Sequence, residues 1–219
     1  MTARHESPAA VAFDCDSTLS RLEGIDELAV RVGRAHEIVP LTQAAMDGRM
    51  TLEEVYARRM EILRPNRQDV SWLGQRYAET IVEGALQAIG RLSASGAAVY
   101  VVSGGLRAPV VHLAGKLGVP EDRVHAVAVY HDEEGHYAGF ETASPLTRSN
   151  GKAQIAARLV ARHGSLVLVG DGVTDVAARE GGARVIGFGG VARRQAVVAG
   201  ADHFIEGPSL SAVADYLLG

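Results

Sequence analysis

Short apolar runs recur along this chain, and each stops at a cluster of small and polar residues. Ala9 to Phe13 runs into Asp14, Cys15, Asp16, Ser17 and Thr18; Ala97 to Val102 into Ser103, Gly104 and Gly105; Leu166 to Val169 into Gly170, Asp171 and Gly172. Ala183 to Phe188 and Asp202 to Ile205 are further strand candidates, as is Val124 to Tyr130. Apolar runs of this length without alternation fit strands covered on both faces. Residues 130–140 read as a hairpin turning at Glu134–Gly135.

The stretches between the runs follow a different period. In residues 20–36, Leu22, Ile25, Leu28, Ala29 and Val32 fall at helical spacing, and residues 37–48 continue as a second amphipathic segment. Thr51 with Glu54 forms a capping-box pattern opening a helix over 51–63, which Pro65 ends. Residues 66–79 are helical from near Asp69. Further helices are expected at 84–96, closed by Gly96, and at 107–117, 150–163, 191–199 and 209–218. One more, capped by Thr174, ends at Gly181–Gly182.

Strands alternating with helices specify an α/β fold: a Rossmann-like parallel sheet joined by right-handed crossovers. The segment 20–80 has no strand pattern and reads as a helical cap inserted after the first strand. The expected division is therefore a core of 1–19 and 81–219 and a cap, or lid, of 20–80. Asp14, Asp16, Ser103, Asp171 and Asp175 gather just past the carboxyl ends of strands. That edge is where open α/β sheets bind ligands.

Composition narrows the function classes. The net charge of −4 disfavours a nucleic-acid binder, which needs a basic face. The single cysteine, Cys15, excludes an intramolecular disulfide and a cysteine zinc cage. No segment approaches the ~20 apolar residues of a membrane span, and the first residues lack a signal-peptide apolar region. The expectation is a cytoplasmic enzyme, monomer or homodimer, acting on a small molecule without nucleic acid or membrane.

Asp14 and Asp16 stand two residues apart, so in extended chain their side chains face one point. Like charges that close call for a cation, a shared proton, or both; a bare DxD also fits a turn capping a strand. Phosphomonoester hydrolysis gives such a group work to do. It needs a nucleophile, a proton donor for the leaving oxygen, a cation, and donors for the phosphoryl oxygens. Its barrier must fall by well over ~20 kcal/mol, which no single group supplies.

FDCDSTL (13–19), VVSGGLR (101–107), the lysine of SNGK (149–152) and GDGVTDVA (170–177) resemble, in order, the four motifs of the haloacid dehalogenase superfamily. EGIDELA (23–29), SGGLR (103–107), HYAGFE (136–141) and IGFGG (186–190) are similar to its phosphoserine phosphatase branch. That resemblance implies magnesium-dependent hydrolysis of O-phospho-L-serine to L-serine and phosphate, the last step of serine biosynthesis. It implies Asp14 as a nucleophile forming an aspartyl-phosphate, and Asp16 as general acid and then base. Asp14, Asp171 and the backbone carbonyl of Asp16 would bind Mg2+, with Asp175 behind them. Ser103, Gly104, Gly105 and Lys152 would hold the phosphoryl group. In the cap, Glu23 would meet the substrate ammonium, Arg59 its carboxylate, and Met46 would line the pocket. One acid and one planar, bidentate cation suit a zwitterion.

Three positions depart from the usual pattern. Cys15 lies between the aspartates and reads as a packing residue; Leu106 stands where Phe is frequent; Asp47 adds a carboxylate near the pocket mouth. Arg194 aligns with a family arginine, without an assigned role. A related phosphomonoesterase or phosphotransferase for another small substrate is an alternative. So is an aspartyl-phosphate receiver domain, against which the helical insert and the early DxDST argue.

Overall fold

The computed structural model describes residues 8–46 and 49–219, with residues 43, 45 and 46 described in backbone only. The Met46 side chain and Asp47 therefore lie outside the described residues.

Strand β1 (Ala10–Phe13) is the centre of the molecule, and all four of its residues are fully buried. It pairs in parallel with β2 (Ala98–Leu106) on one side and β6 (Leu166–Gly170) on the other. With β3 (Val124–Val127), β7 (Arg184–Phe188) and β8 (His203–Ile205) it forms a six-stranded sheet in the order β3-β2-β1-β6-β7-β8. Every pairing in it is parallel. Phe13 lies level with Val101 and Val169, so Asp14, Ser103 and Asp171 gather at one edge of the sheet. The Asp14 amide donates to the Val169 carbonyl at 2.9 Å, which sets that level.

The first four helices after β1 make up the insertion: α1 (Gly24–Arg31), α2 (Ala35–Met46), α3 (Leu52–Leu63) and α4 (Arg67–Glu79). Thr51 and Glu54 form the expected capping box. Arg64 then takes a left-handed turn (φ 38°) ahead of Pro65. Helix α4 starts two residues before the expected Asp69, because Asn66 caps it and Asp69 closes a second box from inside the first turn. Asp69 also pairs with Arg31 at 2.7 Å, tying α4 to α1.

The core helices are α5 (Ala85–Ala94), α6 (Arg107–Lys116), α7 (Gly151–His163), α8 (Val173–Val176), α9 (Gln195–Gly200) and α10 (Ser211–Leu218). At Gly74 a Cβ would stand 3.1 Å from that of His112, so glycine lets α4 lie directly on α6.

Four expectations are corrected. Val124–Tyr130 is two strands: β3 belongs to the main sheet, whereas β4 (Val129–His131) pairs antiparallel with β5 (Tyr137–Phe140). Ala128 is the divide; its carbonyl and amide are both taken by Glu141 of the hairpin arm. Strand β2 does not stop before Ser103 but runs to Leu106, with its register against β3 shifting between Val102 and Leu106. Thr174 lies inside α8; Gly172 holds the cap position, and its amide donates to the Asp175 carboxylate. Helix α9 is shorter than 191–199, because the chain from Gly189 to Arg194 is irregular.

Among the described residues, no helix is long and apolar enough to cross a membrane.

Candidate active site

A cavity of about 620 Å³ separates the sheet edge from the four inserted helices. Asp14, Asp16, Ser103, Gly104, Gly105, Lys152 and Asp171 line it from below, and Tyr56, Arg59, Leu73 and Tyr77 from above; Glu23 and Arg194 also face it. The structure thus brings together every described residue singled out from the sequence except Asp175, which sits directly behind Lys152 and Asp14.

The two aspartates share the cavity, as their spacing in the sequence predicts. Strand β1 ends at Phe13, and Cys15–Leu19 folds into a tight turn in which buried Ser17 adopts φ 50°. Asp14 and Asp16 both hold extended backbone angles, and the left-handed Ser17 follows them. Cys15 is fully buried as a packing residue.

Asp14 Oδ1 accepts the Cys15 amide at 2.8 Å and lies 2.9 Å from Lys152 Nζ. Lys152, opening α7, also reaches Asp175 Oδ1 at 2.5 Å. Burial would strip the charge from this lysine, but Asp14 and Asp175 more than offset it, and its pKa is raised. Burial and Asp14 push Asp175 upward against the opposing pull of Lys152 and the Gly172 amide. We take the lysine as charged, since its two carboxylates lie within contact distance.

Asp16 has a different environment. Its Oδ1 accepts the Tyr77 hydroxyl at 2.6 Å and the Gly24 amide at 2.8 Å. Burial, Glu23 and Asp14 push its pKa up to about 7, and those two hydrogen bonds offset only part of the rise. A carboxyl poised near neutrality can give up and regain a proton.

Asp14, Asp171 and Asp175 each place one carboxylate oxygen within 4.8 Å of the others. The Thr18 hydroxyl donates to Asp171 Oδ1 at 3.1 Å. Among the described residues Asp171 Oδ2 is buried without a hydrogen bond, and the Arg194 guanidinium is pressed against it as an ion pair. A set of buried oxygen donors, one of them lacking a proper partner, fits a hard divalent cation.

Above the cavity the polar groups are less satisfied. Arg59 donates through Nη2 to Thr42 Oγ1 at 2.5 Å, while its Nε and the Tyr56 hydroxyl are buried with no hydrogen-bond partner among the described residues. Burial lowers the Arg59 pKa, opposed by Asp26 and Glu23. Glu23 accepts the Ser17 hydroxyl at 2.8 Å and pairs with Arg194 at 3.0 Å. Ser103 Oγ accepts the Gly105 amide at 3.0 Å, which occupies that amide and leaves the serine hydrogen free to donate.

Sequence reasoning left two of these contacts unassigned. Arg194 bridges Glu23 and Asp171 from a stretch expected to be helical and found irregular. Tyr77 follows Val70 and Leu73 along α4 and reads from spacing as core alone.

Residues 11–180 match the haloacid dehalogenase-like hydrolase family. A phosphoserine phosphatase of Drosophila melanogaster is 35% identical over 199 residues, covering 89% of this chain and 73% of that protein. The Homo sapiens phosphoserine phosphatase is 34% identical over 201 residues, covering 91% and 89%. Among solved structures, a phospho-aspartyl intermediate analogue of phosphoserine phosphatase superposes with TM-score 0.79 at 29% identity. A substrate-bound phosphoserine phosphatase complex does so with TM-score 0.79 at 28% identity; each covers 96% of this chain and 99% of the other. With a family match across most of its length and relatives sharing a third of its residues nearly end to end, the chain belongs to the haloacid dehalogenase-like hydrolase family, on its phosphoserine phosphatase branch.

Proposed function

We propose that this enzyme hydrolyses O-phospho-L-serine to L-serine and phosphate in two steps through an aspartyl-phosphate on Asp14. The observation that carries the reading is the unequal treatment of two carboxyls in one cavity. Asp14 is fixed against an ammonium and an amide, whereas Asp16 is pushed to about 7. Environments that separate paired carboxyls in this way divide nucleophile from acid. The likeness to a phospho-aspartyl intermediate analogue supports the covalent step.

Asp14 attacks phosphorus while Asp16 protonates the departing serine oxygen. Asp16, now a carboxylate, takes a proton from the water that attacks the phosphorylated Asp14, which returns the nucleophile and releases phosphate. Ser103, the Gly104 amide and Lys152 hold phosphoryl oxygens. A magnesium ion held by Asp14, Asp171 and the Asp16 carbonyl, with Asp175 supporting them, would neutralise phosphoryl charge. Residues 20–80 act as a lid over a core of 1–19 and 81–219. Arg59 takes the substrate carboxylate through its unpartnered Nε, and Glu23 takes the ammonium. Such a reaction, at the release of serine from its phosphate, belongs at the end of serine biosynthesis.

Steady-state phosphate release with Mg2+ from L-phosphoserine, phosphothreonine and p-nitrophenyl phosphate tests the reading. A kcat/KM for phosphoserine at least tenfold above the others is expected; comparable values would keep a phosphatase and discard the substrate.

A further inference from the structure

Tyr77 is fully buried, yet its hydroxyl is not spent on packing. It donates to the same oxygen of Asp16, Oδ1, that the Gly24 amide also reaches. The approach leaves no slack: a Cβ at Gly24 would stand 2.0 Å from the Tyr77 hydroxyl. Asp16 Oδ2 turns the other way, to within 3.3 Å of where a Cβ on Gly105 would sit, and so toward the Ser103–Gly105 loop of the cavity.

An oxygen that accepts two donors is poorly placed to carry a proton of its own. We propose that Tyr77, with the Gly24 amide, is a positioning residue that reserves Asp16 Oδ1 as an acceptor and so puts the transferable proton on Oδ2, facing the leaving oxygen. This rests on the phosphatase reading above. In the step concerned, Asp14 forms a bond to phosphorus and the bond from phosphorus to the serine oxygen breaks. The electron pair goes to that oxygen, and the Oδ2 proton neutralises it. Without the Tyr77 hydroxyl the carboxyl is held by one donor and its proton is no longer confined to one oxygen.

The leaving group distinguishes this role from mere support. Serine leaves as an alkoxide and needs the proton; p-nitrophenolate leaves readily without it, and kcat/KM reports this first step alone. Tyr77→Phe is expected to lower kcat/KM for phosphoserine ten- to a hundredfold, within the range of acid–base effects. The same variant should change kcat/KM for p-nitrophenyl phosphate less than threefold, which also shows that it folds. Equal losses on both substrates, or no loss on either, overturn the proposal alone. Failure of the unaltered enzyme to hydrolyse either substrate overturns the phosphatase reading and this proposal with it.

Discussion

The two walls of the cavity are built on opposite terms. On the sheet side, apart from Asp171 Oδ2, the polar groups have partners: Lys152 holds Asp14 and Asp175, Thr18 holds Asp171 Oδ1, and Ser103 takes the Gly105 amide. On the helix side Arg59 Nε and the Tyr56 hydroxyl are buried with none among the described residues. Charges fixed in advance cost little to reorganise during reaction, which suits the chemical step. Buried donors without partners bear a desolvation penalty that a ligand can relieve, which suits recognition. Under the proposed function, chemistry would reside on the sheet edge and selectivity on the inserted helices.

The largest test of that division is Asp14→Asn. Turnover should fall by roughly 10⁴-fold or more on every substrate, as removal of a covalent nucleophile does. Retained turnover, measured as phosphate release, would move the chemistry elsewhere. Next is chelation. Removing divalent cations with EDTA should cost at least about 10²-fold in kcat, and excess Mg2+ should restore it. Full activity after chelation would leave the acidic cluster without its proposed role.

Arg59→Ala probes the opposite wall. It should raise KM for phosphoserine roughly tenfold or more, the cost of losing a charge-assisted carboxylate contact, and leave p-nitrophenyl phosphate almost unaffected. Equal effects on both would erase the distinction between the walls. The smallest expected effect is on stability. The Asp16 pKa of about 7 lies above its ordinary value of 3.8, so the folded state binds more protons than the unfolded one between those limits. Stability of the metal-free protein should therefore fall as pH rises from about 4 through 7. Asp16→Asn should flatten that slope and raise the melting temperature at pH 8 by a few degrees. An unchanged slope in thermal melts would refute the sign.

How the chain reveals itself varies with the range of the interaction. Thr51 and Glu54 announced their helix start because a capping box closes within three residues. Asn66 and Asp69 form the same device, yet the expected start fell on Asp69, since a charged residue inside the first turn also reads as its opening. The run Val124–Tyr130 was legible as strand but not as two strands in two sheets. Apolar residues continue on both sides of Ala128, and the partners lie elsewhere in the chain. Thr174 had the chemistry of a cap, and Gly172 took the place because Asp175 bonds its amide.

By itself the sequence determined the alternation of strand and helix, the helical insertion after the first strand, and the meeting of Asp14, Asp16, Ser103 and Asp171 at one edge. These follow from periodicity and from motifs at strand ends, which are local properties. Only the tertiary structure decided that Arg194 bridges Glu23 and Asp171. It alone decided that Tyr77, spaced like any core residue, reaches Asp16 from 61 positions away. The reason is physical: contacts across such separations depend on how whole elements pack, and nothing in a residue's neighbours along the chain encodes which distant side chain it will meet.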